Sequence, residues 1–276
     1  MENISLEDKC RAYQKACDHR IDTDKYIIAH IDGRSFSKMV KNKFIKPFDS
    51  RFIEAMNETA KYLCANVQGV QFAYVQSDEI SLLIKKNTPE SDVFFGGRLC
   101  KMQSIMASLA TCRFNQFMAK IEIGQHVFGR TMDIIDINKI IDDLPLYQFD
   151  CKVWTVDNQN DAWAWFLFRN IDCVRNSKQQ YAQAYASHKE LLGKTCDEQI
   201  AFVKGNGHDW NDCRRDRKFG RIIAKENYTV NAVNPKTGNT EESIRTKWTI
   251  NEGYDLTSST GRIAFYELCP SLAPVE

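Results

Sequence analysis

The chain carries almost no net charge: 37 Lys and Arg against 36 Asp and Glu leave a formal +1 over 276 residues. That balance excludes a globally basic nucleic-acid binder, so any positive surface has to be local. A long apolar run is also absent. No stretch is long enough to span a bilayer, and no signal-like apolar segment opens the chain. There is no Cys-x-x-Cys pair among the ten cysteines, at 10, 17, 64, 100, 112, 151, 173, 196, 213 and 269. Cys64, Cys100 and Cys112 fall inside apolar runs, where a free thiol behaves as a small hydrophobe. His188, Cys196, His208 and Cys213 lack zinc-ligand spacing. These features predict a reducing, cytoplasmic setting and no membrane partner. A Gly-x-x-x-x-Gly-Lys-Ser/Thr loop is missing too, which makes a plain metabolic kinase a poor fit. No repeat, low-complexity segment or flexible linker divides the chain, and its length suits one large domain or two smaller ones.

What is present centres on Ala73-Tyr74-Val75-Gln76-Ser77-Asp78-Glu79-Ile80-Ser81. Apolar runs at 70–75 and 80–84 flank a polar link, the pattern of a β-hairpin. An earlier run, Tyr26-Ile27-Ile28-Ala29-His30-Ile31-Asp32-Gly33-Arg34, also ends in an acid. Two acids at strand ends, Asp32 and Asp78, suit a hard divalent cation, which takes oxygen ligands and keeps places open for phosphate. Gly33 would let a backbone carbonyl approach a metal or nucleotide with no Cβ in the way. The plainer account is that Asp32 opens a turn while Asp78 and Glu79 are solvated hairpin residues.

The rest of the chain can be read in order. Residues 1–22 are polar with a helical pattern, Leu6, Tyr13 and Ala16 falling near one face. A strand is predicted at about 25–32, buried on both faces. A basic loop follows from Arg34 to Lys46, with Lys38, Lys41 and Lys43. Asp49 is a plausible N-cap for a helix over 50–67, whose core stripe is Phe52, Met56, Ala60, Leu63 and Val67. After the hairpin, Ser91 or Asp92 caps a long helix to about 119. Near its start Arg98 and Lys101 share a face, either as a solvated basic patch or as a phosphate clamp. Residues 121–146 give no assignment, and a fourth strand is predicted at 149–156. Strand, helix, hairpin, helix, strand is the α+β, ferredoxin-like βαββαβ unit, which is also the polymerase-type palm. We therefore divide the chain into a palm-like core, 1–157, and an appended helical and β-hairpin part, 158–276, packed with it.

In that second part a Trp-rich helix begins with Trp163, Trp165, Phe166, Leu167 and Phe168, whose clustering marks core more than a base-stacking platform. Arg169, Asp172, Arg175 and Asn176 share another face, turned toward a nucleotide or an RNA end. Capping boxes at Ser187 and Thr195 start two short helices, and Gly205 is placed at the end of the second. Arg214, Arg215, Arg217, Lys218 and Arg221 form the densest basic run, either a solvated loop or a phosphate-backbone contact. Asn234-Pro235-Lys236-Thr237-Gly238-Asn239 is a turn between strands at 222–232 and 243–250, a hairpin able to project. The tail after 254 is uninformative.

His30-Ile31-Asp32-Gly33-Arg34, Phe44-Ile45-Lys46-Pro47, Gln76-Ser77-Asp78-Glu79, and then Arg98 with Lys101 occur in register. Phe149-Asp150, Ser187-His188-Lys189-Glu190-Leu191 and Arg217-Lys218-Phe219-Gly220 accompany them. In these motifs, over roughly 5–225, the chain resembles the tRNA-histidine guanylyltransferase family, which adds nucleotides to RNA 5′ ends in the 3′-to-5′ direction. The resemblance implies two Mg²⁺ ions on Asp32, Asp78 and the Gly33 carbonyl, with Glu79 as a supporting acid. It places Arg34, Lys46, Ser77, Arg98 and Lys101 among the nucleotide-binding residues. For RNA contact it points to Lys152, Arg175, Asn176, His188, Arg214, Arg215, Arg217 and Lys218. ATP and GTP are the implied substrates, tRNA the partner and a homotetramer the assembly. Two metals about 3.5–4 Å apart neutralise attacking and leaving oxygens, and basic side chains hold the triphosphate.

One departure matters. Eukaryotic members dedicated to tRNA-histidine carry His-Ile-Asn-Asn, where this chain has Cys173-Val174-Arg175-Asn176-Ser177. That resembles the broader branch, which repairs 5′-truncated tRNA by templated addition. Dedicated guanylate addition to tRNA-histidine and a palm-type nucleotidyl cyclase remain as alternatives. The cyclase would share Asp32 and Asp78 but need no basic run at 214–221. A third alternative is a non-catalytic RNA-binding protein on the same fold, against which the intact acids speak.

Overall fold

A computed structural model of the protein describes residues 4–39, 44–127, 138–139, 141–233 and 238–274. Its centre is β1 (Tyr26–Gly33), a strand buried on both sides. Ile27, Ala29 and Ile31 enter one core and Ile28 the other, which is why the run reads as continuously apolar and not alternating. The chain then forms a short helix α2 (Phe36–Met39), following α1 (Leu6–Ala16), and a longer helix α3 (Ser50–Asn66). As predicted, Asp49 caps α3 by accepting the Arg51 N–H. Hairpin strands β2 (Val70–Gln76) and β3 (Glu79–Ile84) follow, then α4 (Leu99–Val127) and β4 (Phe149–Val156).

These elements give the predicted βαββαβ palm. The sheet order is β4-β1-β3-β2, extended by β5 (Arg221–Val233) and β6 (Thr240–Glu252), and every neighbouring pair is antiparallel. Helices α3 and α4 cover one face, with Met56, Leu63, Met106 and Phe114 buried against it. The other face is covered by α5 (Gln159–Tyr185) and α9 (Ser259–Leu268). Phe72 ties both to the sheet: its ring lies 4.6 Å from Phe166 and 5.4 Å, edge-on, from Phe265. Each such fully buried side chain contributes about 1.5–3 kcal/mol of transfer free energy. A smaller cluster around Tyr181, Leu191, Val203 and Trp210 joins α5 to α6 (His188–Leu191) and α7 (Cys196–Gly205). The short α8 (Arg215–Lys218) then leads into β5. Only 221–223 of β5 pair with β2, and the β5–β6 ribbon continues beyond the sheet with most residues exposed.

Several local readings change. α4 starts at Leu99 because Ser91 and Asp92 close local turns: the Ser91 hydroxyl accepts from the Asn87 and Thr88 amides, and Asp92 accepts from Val93. Phe95 and Gly96, both at positive φ, break the chain before it. α1 is capped by Ser5 yet buries nothing, Leu6 and Tyr13 being 79 % and 64 % exposed, so its periodicity marks no core face. Gly205 is the last residue of α7, but the left-handed residue is Gly207, at φ 92°. The Trp-rich stretch is mostly core, as expected, apart from exposed Phe168. The tail after 254 forms α9 and a turn at Pro270–Leu272 that completes the second core. Lys41, Lys43 and the turn residues Asn234 to Thr237 lie outside the described residues, as do 128–137 and Ile140 of the unassigned stretch.

Candidate active site

Acids converge where β1 ends. In the strand register Asp32 lies opposite Glu79 on one side and Asp150 on the other, and Gln76 lies opposite Glu79. The two-residue link Ser77-Asp78 closes the hairpin with Ser77 at φ 42°. A left-handed residue at the first link position is the geometry usually given to Gly. Holding a serine there costs on the order of 1–3 kcal/mol, the kind of strain that collects at functional sites. The Ser77 hydroxyl donates to Asp78 at 2.9 Å, and the Gly33 N–H donates to the Asp78 carbonyl at 3.1 Å, so link and strand end are fastened together. Gly33 is required by space: a Cβ would lie 2.5 Å from the Phe36 ring and 3.0 Å from the Asp78 Cβ. Phe36 is itself fixed between Phe114, Tyr147 and Phe149.

The acids are unequal. One ligand atom each from His30, Asp32 and Glu79 lie within 4.8 Å of one another, a group able to hold a metal ion. Glu79 is already engaged, accepting from Arg169 Nη2 and, at 2.8 Å, from Gln76 Nε2. Arg169 also binds Asp172 at 2.9 Å, and Asp172 in turn accepts from Arg175 and Asn176. Among the described residues Asp32 has no such cationic clamp. Burial, together with Asp78, Glu79 and Asp150, pushes its carboxyl up to about 6. Burial also raises Asp78, partly offset by the Ser77 hydroxyl. His30 is pushed down to about 4 by burial and by Arg169 and Lys152, so it stands neutral at pH 7, with Nδ1 3.1 Å from the Ser81 hydroxyl. Half-buried carboxylates that raise one another's pKa suit a hard divalent cation.

Asp32, Gly33, Ser77 and Asp78 open onto a cavity of about 570 Å³, a size that suits a nucleotide-scale ligand. Phe44, Phe52 and Ile53 supply an apolar wall, Lys46 a cation, and Asn176, Ser177 and Gln180 a polar wall from α5. Asp49 lines it too. Bonds from Arg51 and the Ile45 amide outweigh its burial and lower its carboxyl to about 2.

The other sequence-predicted residues distribute as follows. Arg34 is exposed and donates to Gln148, outside the cavity lining. Lys152, on β4 opposite His30, is exposed yet close enough to lower Asp32. Asn176 and Arg217 line the cavity, while Arg175, His188 and Arg214 are surface residues. Arg98 and Lys101 lie elsewhere. The Gly97 carbonyl and the Leu99 amide pair with Ile21 and His19, just before β1 begins. β1 spans eight residues, and at about 3.3 Å per residue its ends are roughly 20 Å apart. Arg98 and Lys101 are thus at the end of the sheet remote from Asp32. There Arg98 binds Asp18 at 2.7 Å, Lys101 lies over the Phe95 ring, and Arg20 completes a basic group. Sequence reading gave no role to Gln76, and noted Asp150 only within a motif. Their alternation along β2 and β4 toward the α5 face was the available signal.

Comparison with known proteins places these features in a family. The family model described as Thg1, tRNAHis guanylyltransferase, matches residues 7–157, more than half of the chain. A probable tRNA(His) guanylyltransferase of Dictyostelium discoideum is 33% identical over 235 residues, covering 80% of this chain and 82% of its own length. A bacterial tRNA(His) guanylyltransferase-like protein in complex with ATP superposes with a TM-score of 0.76 at 28% identity, covering 96% of this chain and 99% of that one. A bacterial protein of the same description in complex with GTP gives 0.71 at 25% identity, covering 98% and 100%. The palm, the strand-end acids and these likenesses agree: the chain belongs to the tRNA-histidine guanylyltransferase family of nucleotidyltransferases.

Proposed function

We propose that this protein adds nucleotides to the 5′ end of tRNA in the 3′-to-5′ direction, in the repair of 5′-truncated tRNA with the opposing strand as template. The observation that carries this reading is the placing of Asp32, Gly33, Ser77 and Asp78 on a nucleotide-sized cavity that also holds Lys46. In this reading Asp32, Asp78 and the Gly33 carbonyl hold two Mg²⁺, which when bound offset charge on the attacking and leaving oxygens. Lys46 and Ser77 bind nucleotide phosphates. Glu79 is the supporting acid: Arg169 and Gln76 fix its carboxylate beside Asp32, which orients the cluster without adding a free charge. ATP converts a 5′-monophosphate end to a 5′-adenylyl end with release of pyrophosphate. The 3′-hydroxyl of the incoming GTP or other nucleotide then attacks that phosphate and AMP leaves.

Lys152, Arg175, Asn176, His188, Arg214, Arg215, Arg217 and Lys218 are assigned to the tRNA side, and Arg34 to nucleotide binding. The Arg175 and Asn176 side chains reach Asp172, and through it Arg169 and Glu79, so the α5 face that departs from the His-Ile-Asn-Asn pattern is committed to holding the acid cluster. What favours the repair branch over dedicated guanylate addition is the departure in sequence, Val174 standing in place of the histidine and only Asn176 being kept. The roles of Arg98 and Lys101 in binding nucleotide phosphates would be exercised at a second place on the chain, as in a homotetramer where one subunit's basic group reaches a nucleotide held by another.

The test is a 5′-extension assay on a tRNA lacking its first nucleotide and bearing a 5′-monophosphate, with Mg²⁺, ATP and the nucleotide complementary to the opposing base. Restored length dependent on ATP is expected. No extension, even from a 5′-triphosphate tRNA, would overturn the reading. Equal rates for paired and unpaired additions would remove the templated part of it.

A further inference from the structure

The basic run 214–221 is divided by the structure. The Arg214 side chain is 71% exposed and pairs with Asp216 and Glu252. Arg215 lies over the Tyr254 ring and donates to the Gly253 carbonyl. Lys218 donates to the Asn211 carbonyl and lies over Trp210. Of the five, only Arg217 and Arg221 line the cavity that holds Asp32 and Asp78.

Those two are built in and incompletely satisfied. Arg221 is 4% exposed, its Nε donates to Asn57 Oδ1 at 2.9 Å, and its Nη2 is buried with no partner among the described residues. Arg217 donates through Nη2 to the Ser50 hydroxyl at 3.1 Å and approaches Asp216 at 3.5 Å, while its Nη1 is likewise buried with no partner among the described residues. A buried donor left unpaired is costly, more so on a charged group. Asp216 is the only acid in contact with either among the described residues, and Arg214 shares it. Each guanidinium also senses the other, since Arg217 is among the charges that disfavour protonated Arg221. Gly220 allows this placement: at φ 75°, a Cβ on it would lie 2.7 Å from the Val75 carbonyl and 2.8 Å from the Tyr74 hydroxyl. Arg221 is thereby set opposite Val75, three residues before Asp78. Three strand spacings of about 4.8 Å separate β1 from β5 in the sheet order, so the backbones of Arg221 and Asp32 are about 14 Å apart. That span lies within the reach of a nucleotide or of two adjoining substrates.

We propose that Arg217 and Arg221 form an anion seat on the inner wall of the active-site cavity for a terminal phosphate, carried either by the incoming nucleoside triphosphate or by the 5′ end of the RNA. A guanidinium fork matches phosphate oxygens in two-point geometry. Asn176, Ser177, Gln180 and Gln183 face the same space, and of the acids on this lining Asp216 is the one beside Arg217, while Asp49 is held by Arg51. The identity of the phosphate rests on the function proposed above, whereas the seat itself does not.

The experiment uses the full chain and sodium tripolyphosphate as probe, without divalent cation, by isothermal titration calorimetry. Wild type is compared with Arg217→Gln, Arg221→Gln and Arg221→Lys, each first checked by circular dichroism and thermal unfolding. Binding to the remote Arg20, Arg98 and Lys101 group is common to all four proteins. A loss of affinity of about tenfold or more in both Gln variants, with partial recovery in Arg221→Lys, is expected. Unchanged affinity in folded Arg217→Gln overturns the proposal by itself, whether or not Arg221→Gln folds. A raised KM for GTP with 5′-triphosphate tRNA would assign the seat to the nucleotide. A lost preference for 5′-phosphate over 5′-hydroxyl tRNA in filter binding would assign it to the RNA. Weakened tripolyphosphate binding with neither of these altered overturns the assignment to a substrate. Tripolyphosphate binding that depends on both arginines in a protein without extension activity would leave the seat standing and fail the function.

Discussion

The two ends of the sheet hold charge in opposite ways. Where β1 ends, Asp32 and Asp78 are fixed by a strand end and a strained turn and, among the described residues, form no ion pair, and burial raises their pKa values. Where β1 begins, Asp18, Arg20, Arg98 and Lys101 lie at the surface, and the Arg98 bond lowers Asp18. Charge that is buried and mutually repelling is uphill in the free protein and waits for a ligand. Charge that is exposed and paired is near its resting state and contributes little to stability. The contrast supports the proposal that the first end is the place of chemistry, while the second is a surface.

The largest expected effect breaks only the first end. Asp78→Ala should lower extension by at least about a hundredfold, because it removes charge stabilisation at the reacting atoms. The fold should survive, since Asp78 sits in a turn and its carboxylate accepts only from the neighbouring Ser77. Full activity in a folded Asp78→Ala protein, measured in the same 5′-extension assay, would remove the two-metal assignment.

That contrast also explains how far the sequence could be read. The palm was legible because β1, β2, β3 and β4 are apolar runs with local turn signals, and α3 carries its own cap. Asp32, Gly33 and Asp78 could be grouped from the sequence because the first two close a strand, and Asp78 sits in a hairpin link, that the pattern already located. Arg98 and Lys101 were grouped with them on motif order, but order does not encode which end of a strand a residue occupies. The antiparallel return through β3 carries the chain back to the start of β1 before α4 begins. Arg221 was submerged in a basic run, because one-dimensional charge density cannot separate a guanidinium under Gly220 from one in water. The second face of the sheet depends on Phe72 meeting Phe265, almost two hundred residues later, a pairing without local signature.

A second, intermediate effect sharpens the contrast through pH. The Asp32 carboxyl titrates near 6, above the usual carboxylate range, and a cation must displace its proton. Affinity for Mn²⁺, followed by paramagnetic relaxation, should rise about tenfold between pH 5 and pH 7, most of it below about pH 6, and level off above about pH 7. Stability has the opposite sign in the cation-free protein. A carboxyl whose folded pKa is raised contributes stability below its unfolded value, and that contribution is lost as pH rises through about 6. Asp32→Asn should therefore raise Tm at pH 8 without metal and have little effect at pH 4. A flat Mn²⁺ profile, or a lower Tm for Asp32→Asn at pH 8, would mean that Asp32 is paired like the acids at the other end.

The smallest expected effect tests the separation itself. Lys101 lies over the Phe95 ring, and no residue of its neighbourhood lines the strand-end cavity. If the two ends act apart, Lys101→Ala leaves Mn²⁺ affinity and its pH profile unchanged, because a charge roughly 20 Å away across the protein is beyond a Debye length of about 8 Å at physiological salt. Its effect should fall on substrate phosphates alone, as a raised KM for the nucleotide. If Lys101→Ala instead weakened Mn²⁺ at Asp32, the ends would be coupled through α4, the helix that runs from Lys101 to Phe114, which packs on Phe36 beside Gly33. That single result would replace two independent charge groups by one linked device, which makes the least conspicuous substitution the most informative about how the palm is wired.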